Sequence, residues 1–146
     1  MRAFRFRLER VLGWYRKAAD LEESRLAACL PDLAKAQEGI DRFHGERLSI
    51  ERDFVSSASI PAQDAQAFGL YRLQATVQEA ALNRELERQK NHVEAQTARM
   101  KAAQQRVRLV EKLRARQVEE HAYLAEREAE SLAAEAYLAK WPQDVP

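Results

Sequence analysis

Three histidines, one cysteine and a supply of carboxylates are the side chains in this chain with catalytic or ligand chemistry to offer. Asp41 and His44 stand three residues apart, and Glu120 abuts His121. A spacing of three or four puts two side chains on one face of a helix. A di-iron bundle, however, needs Glu-x-x-His on two helices and further Glu on two more. The chain has neither, so no metal site is expected. His121 falls on an apolar stripe and reads as a polar coiled-coil position. Cys29 falls on a similar stripe, where a thiol behaves as a small hydrophobe. One cysteine excludes an internal disulfide framework and a Cys-based zinc site. No two of the four glycines lie in a G-x-G or G-x-x-x-x-G-K pattern, so there is no phosphate-cradling loop. There is no G-x-S-x-G elbow and no H-E-x-x-H pair. The expectation is no catalytic residue, no cofactor and no enzyme, since an enzyme would need residues to line a walled pocket.

The elements that must position these residues are helical. The chain has 146 residues, enough for one domain, with only four glycines and four prolines. Ala, Glu, Lys, Leu and Arg dominate, which is the composition of long helices and coiled coils. No stretch approaches ~20 consecutive apolar residues, so no transmembrane helix is expected. The start, Met1-Arg-Ala-Phe-Arg-Phe-Arg-Leu8, lacks the apolar core of a secretory signal. A net charge of +1 argues against a general nucleic-acid binder.

Two segments and one turn account for the chain. The first is expected as a helix over about 4–56. Its apolar positions step by fours and threes through Phe4, Leu8, Val11, Tyr15 and Ala18, then Leu26, Cys29, Leu33, Ala36, Ile40, Phe43, Ile50 and Phe54. That alternation is the coiled-coil signature. Polar gaps fall near Glu22 and at Arg47. Pro31 should kink or briefly break this helix near Leu30. Gly39 and Gly45 weaken it by roughly 1 kcal/mol each relative to Ala.

The breaker cluster Ser56-Ser-Ala-Ser-Ile-Pro-Ala-Gln-Asp64 supplies a turn at about 57–63, with Ser59 or Asp64 as candidate N-caps. The second helix is expected over about 64–141, with 142–146 as a tail. Its best stripe is Leu82, Leu86, Val93, Met100, Ala103, Val107 and Val110, continuing less cleanly through Leu113, Val118, His121, Leu124, Leu132 and Leu138. Two helices joined by a short turn bury each other's stripes only if antiparallel. The fold class is therefore all-α: a single elongated two-helix antiparallel coiled-coil hairpin. Its second arm should overhang the first by roughly 25 residues.

Charge is uneven along this hairpin. Residues 2–17 hold Arg2, Arg5, Arg7, Arg10, Arg16 and Lys17 against Glu9 alone. Residues 99–116 hold Arg99, Lys101, Arg106, Arg108, Lys112, Arg114 and Arg116 against Glu111 alone. Folding about residue 60 lays these basic segments side by side. Their mutual repulsion is relieved by an acidic partner, which a clustered positive end also steers in. The plainer reading is the solvated charged surface of any long helix. Beyond the basic segments the chain turns acidic: Glu119, Glu120, Glu126, Glu128, Glu130, Glu135 and Asp144 face only Arg127 and Lys140.

The aromatics exceed what one seam can cover. Of the neighbours Trp14 and Tyr15, one at most faces the seam. Phe4 and Phe6 cannot both be buried between two helices. Phe68, Leu70, Tyr71 and Leu73 surround the helix just past the turn and form a candidate docking patch.

The opening Phe4-Arg-Phe-Arg-Leu-Glu-Arg-Val-Leu12 resembles the F-x-F-x-L-x-x-V-L start of the FliJ family, the soluble stalk component of the flagellar type III export apparatus. The Phe68…Tyr71…Leu73 run is similar to that family's aromatic start of the second helix. Val110-Glu-Lys-Leu-Arg-Ala-Arg116, Glu119-Glu-His-Ala-Tyr123 and Arg127-Glu128 resemble its later segments. The chain departs from the family in Pro31 and in Glu130-Ser-Leu-Ala-Ala-Glu135, where alanine dilutes an acidic pair.

The resemblance implies a non-enzymatic coupling stalk. Its implied partners are a hexameric export ATPase, the cytoplasmic domain of the export-gate membrane protein, and export chaperones. No nucleic acid and no direct membrane insertion are implied. The implied location is cytoplasmic, peripherally associated with the inner membrane. On this reading Arg2, Arg5, Arg7, Arg10, Arg106, Arg108, Arg114 and Arg116 meet the ATPase ring. Phe68, Leu70, Tyr71 and Leu73 meet the export gate. An injectisome-type stalk would show the same biochemistry. A coiled-coil scaffold or chaperone arm unrelated to secretion would show none of it.

Overall fold

The computed structural model describes residues 1–141, and the expected tail at 142–146 lies outside them. Two helices pack against each other: α1, Glu9–Val55, and α2, Ala62–Ala139. The chain is an all-α two-helix hairpin. Its contacts fall into two compact units. One is Asp20–Lys101, closed by the turn. The other sets Met1–Ala19 against α2 from Ala102.

α1 begins later than about residue 4. Residues 1–6 have no regular structure, and the first helical bonds run from Glu9 N–H to the Phe6 carbonyl (3.3 Å) and from Leu12 N–H to the Leu8 carbonyl (2.8 Å). The cause lies in the Phe4-x-Phe6 spacing. Residues two apart point away from each other on a helix but to the same side of an extended segment. Left non-helical, the segment turns both rings inward. Phe6 is 8% exposed and Phe4 half-buried, while Arg5 and Arg7 face water. The expectation that the two rings could not both be covered fails for this reason.

The seam of α1 is a straighter heptad than its apolar residues alone suggest. Its line of covered positions runs Leu12, Tyr15, Ala19, Glu22, Leu26, Cys29, Leu33, Ala36, Ile40, Phe43, Arg47 and Phe54, with Val11, Gly13, Gly39 and Glu51 half-buried beside it. The alternation of threes and fours never breaks from Leu12 to Arg47, because Glu22 and Arg47 occupy seam positions themselves. Leu8, Ala18 and Ile50 were expected in the seam and stand outside it, exposed. Leu12 is completely buried.

Pro31 does not break the helix: α1 runs through it from Glu9 to Val55. Pro31 is exposed, and so is Ala27, whose carbonyl loses its partner. That carbonyl can turn to water, so one lost bond does not end the helix.

The turn is closed by its serines. Ser56 and Ser57 hydroxyls both donate to the Asp53 carbonyl, at 3.1 and 3.2 Å. They satisfy an orphan acceptor at the end of α1. At the start of α2, the Pro61 carbonyl accepts from Asp64 and Ala65 N–H at 3.0 and 3.1 Å. Pro61 therefore stands at the cap position in place of Ser59 or Asp64. Asp64 sits in the first turn, where a carboxylate suits the helix dipole.

In α2 the stripe Leu82, Leu86, Val93, Met100, Ala103, Val107 and Val110 is buried or half-buried as expected. Its continuation is not. Leu113, Val118, Leu124, Leu132 and Leu138 are all exposed, and of the expected positions only His121 is half-buried. The short segment before α1 gives this stretch of α2 little to pack on.

Candidate binding surfaces

Where the seam turns polar, the two helices meet through matched groups. In the unit Asp20–Lys101, Gln96 is 4% exposed and its amide donates to both the Glu22 carbonyl (3.2 Å) and the Glu22 carboxylate. Towards the turn, the Glu79 carboxylate accepts from the Arg47 guanidinium on one oxygen and lies 3.0 Å from His44 Nε2 on the other. Arg47 also donates to Glu51 at 3.3 Å. Polar residues at seam positions of this kind select one alignment of the helices over its neighbours. His44 is thereby drawn to Glu79, while Asp41 accepts from Gln37 at 3.1 Å. The Asp41–His44 pair does not converge on a ligand. Among the described residues no group of three or more His, Cys, Asp or Glu is placed to hold a metal.

The basic residues do converge. Arg2, Arg5, Arg7 and Arg10 lie in the same unit as Arg106, Arg108, Arg114 and Arg116, and all eight are exposed. The lone acid of each segment is used across the interface. Glu9 pairs with Arg114 at 3.2 Å, and Glu111 with Arg16 at 3.1 Å. Each pair is solvent-exposed and contributes on the order of 1 kcal/mol or less. Together they hold two like-charged segments side by side, and among the described residues most of the cations stand outside any ion pair. His121 anchors the segment before α1: its Nε2–H donates to the Arg2 carbonyl at 3.0 Å, and its ring meets Phe4 edge-on at 5.5 Å. A surface hollow opens here, lined by Met1, Arg2, Ala3, Arg5 and His121. Its charged lining is wholly cationic, which suits a carboxylate.

The four residues expected to form a docking patch past the turn divide into two pairs. Phe68 and Tyr71 face inward and are half-buried. Phe68 stacks on Phe54 with ring centroids 3.9 Å apart and planes 6° apart, and Tyr71 follows at 6.1 Å. They close the seam at the turn. Leu70 and Leu73 point outward at 68% and 67% exposure, joined by Val77 at 69%. Positions 70, 73 and 77 form one stripe of a helix. The apolar surface left open past the turn is therefore Leu70, Leu73 and Val77. Val77 was missed because it lies beyond the aromatic run, although its spacing from Leu70 and Leu73 was there to read.

On the other helix Trp14 is exposed and Tyr15 half-buried, as adjacent positions require. No helix among the described residues is long and apolar enough to cross a membrane. Compared with protein-family models, curated proteins and solved structures, the chain matches none.

Proposed function

We propose that this chain is a non-enzymatic coupling component of a type III protein export ATPase complex, of the flagellar kind. It acts by binding. The exposed arginines at residues 2, 5, 7 and 10 of the N-terminal stretch and 106, 108, 114 and 116 of α2 engage acidic surfaces of a hexameric ATPase ring, and the C-terminal part of α2 enters with them. The apolar stripe past the turn engages the cytoplasmic domain of the export gate. The chain cycles export chaperones and works in the cytoplasm beside the inner membrane.

One observation carries this reading furthest. Two basic segments about a hundred residues apart in sequence lie together in one unit, where among the described residues two cross-pairs offset their charge. A surface of that kind lowers its self-repulsion by meeting an acidic partner. The resemblance of Phe4-x-Phe6-x-Leu8-x-x-Val11-Leu12 to the opening of the FliJ family supplies the identity of that partner, and the two-helix hairpin is the fold the resemblance implies.

The test is charge reversal. Arg106→Glu with Arg108→Glu should abolish capture of the chain by the cognate ring at physiological salt, with helix content by circular dichroism unchanged. Both arginines are exposed, so the fold does not depend on them. Undiminished capture by the reversed variant counts against the proposal.

A further inference from the structure

The C-terminal part of α2 carries a second stripe that its own chain does not cover. It runs Leu109, Leu113, Arg116, Glu120, Tyr123, Arg127, Glu130, Ala134, Tyr137, and Trp141 just past the helix end. The steps alternate four and three without a fault, so these side chains share one face of the helix. All are exposed, Leu109 at 67%, Tyr123 at 59% and Tyr137 at 64%. The stripe lies beside the face that meets the N-terminal segment, which uses Val107, Val110 and His121.

The stripe is complementary to its own reverse: acid stands against base and apolar residue against apolar residue. Counting outward from Tyr123, Glu120 stands against Arg127, Arg116 against Glu130, Leu113 against Ala134 and Leu109 against Tyr137, each within one residue of level. Further out, Arg106 meets Trp141, a guanidinium against an indole. A surface that matches itself when reversed is what a two-fold interface requires, because residue i must meet j while j meets i. We infer that α2 pairs antiparallel with α2 of a second copy of this chain, about a two-fold axis at Tyr123.

Charge decides between orientations. An in-register parallel pair would set Arg116 on Arg116, Glu120 on Glu120, Arg127 on Arg127 and Glu130 on Glu130. The antiparallel pair turns each of these into an opposite-charge contact. Between Leu109 and Trp141 the paired stretch spans about 50 Å of helix. Two local contacts already order the face: Arg127 lies over the Tyr123 ring at 5.9 Å, and Tyr137 meets Trp141 edge-on at 5.9 Å. Arg106 and Arg116 belong to this surface and to the basic one, so pairing with a second copy and binding an acidic partner there exclude each other.

The experiment is sedimentation equilibrium of the full chain with three variants and a crosslink. The wild type should weigh twice 16.8 kDa at high concentration and dissociate on dilution. Tyr123→Lys sets two ammonium groups face to face on the axis and should weaken association by at least about tenfold at unchanged helix content. Glu120→Arg should weaken it too. Adding Arg127→Glu should restore it, and seven residues of separation forbid these two from pairing on one helix. In a Cys29→Ser background, Tyr123→Cys should link to itself on mild oxidation. Leu109→Cys should link to Tyr137→Cys in a mixture and not to itself. A wild type that stays monomeric at high concentration overturns the proposal. So does a dimer indifferent to Tyr123→Lys, or one in which Leu109→Cys links to itself.

Discussion

Gln96 shows what a single residue does in this seam. Its amide is nearly sealed from water and satisfied only by Glu22. Gln96→Ala should lower stability by about 1–2 kcal/mol, read by urea unfolding, since it removes both bonds. The pair Gln96→Leu with Glu22→Leu should recover that loss, because an apolar layer leaves nothing unsatisfied. Failure of the double variant to recover would mean the contact stabilises more than a packed pair does. A second residue-scale effect is electrostatic. The Arg88 guanidinium, and then the Gln89 amide, hydrogen-bond the Glu85 carboxylate and pull its pKa from 4.5 to about 2. A depressed carboxylate adds stability above its unfolded value and loses it as pH falls through the folded one. The contribution should therefore disappear between about pH 4.5 and 2. Arg88→Ala should return the Glu85 carbon shift to an ordinary titration, and an unmoved midpoint would refute the assignment.

At the scale of the element, α1 carries its own weaknesses on its outer side. Pro31 is exposed within an unbroken helix, and a proline there costs about 3 kcal/mol relative to alanine. Pro31→Ala should raise the thermal midpoint by several degrees. Gly45→Ala should add roughly 1 kcal/mol, because a β-carbon there meets nothing within 4 Å. A variant that melts at the wild-type temperature would show that the site is strained in some other way. Most of both helices was legible in the sequence, because the 3–4 alternation and the one breaker cluster leave few alternatives. The misses in the α1 seam come from following apolar residues alone. Glu22 and Arg47 read as gaps, so Ala18 and Ile50 stand in for the seam positions beside them, while Leu8 comes from extending the helical period into the non-helical start. The residues that fill the gaps, Gln96 and Glu79, sit about thirty to seventy-five positions away, where no local pattern points. Phe4 and Phe6 fail for a different reason. A helical period was applied to a segment whose two rings are better served by an extended one.

At the scale of the whole molecule, the basic residues were legible as a group because charge needs no phase. The eight arginines stand exposed in one unit. The docking patch was only half legible because it depends on phase: Phe68 and Tyr71 face in, Leu70 and Leu73 face out. Gate binding should therefore fall sharply with Leu70→Asp or Leu73→Asp in a pull-down. Phe68→Ala should act first on stability, through its stack with Phe54. The most direct measurement is ATP hydrolysis by the cognate export ATPase, with this chain, without it, and with the Arg106→Glu, Arg108→Glu variant. The wild type should stimulate hydrolysis in a way that rises with concentration and weakens with salt, and the variant should not stimulate it. Unchanged hydrolysis with no ring binding would contradict it and point to a coiled-coil scaffold instead.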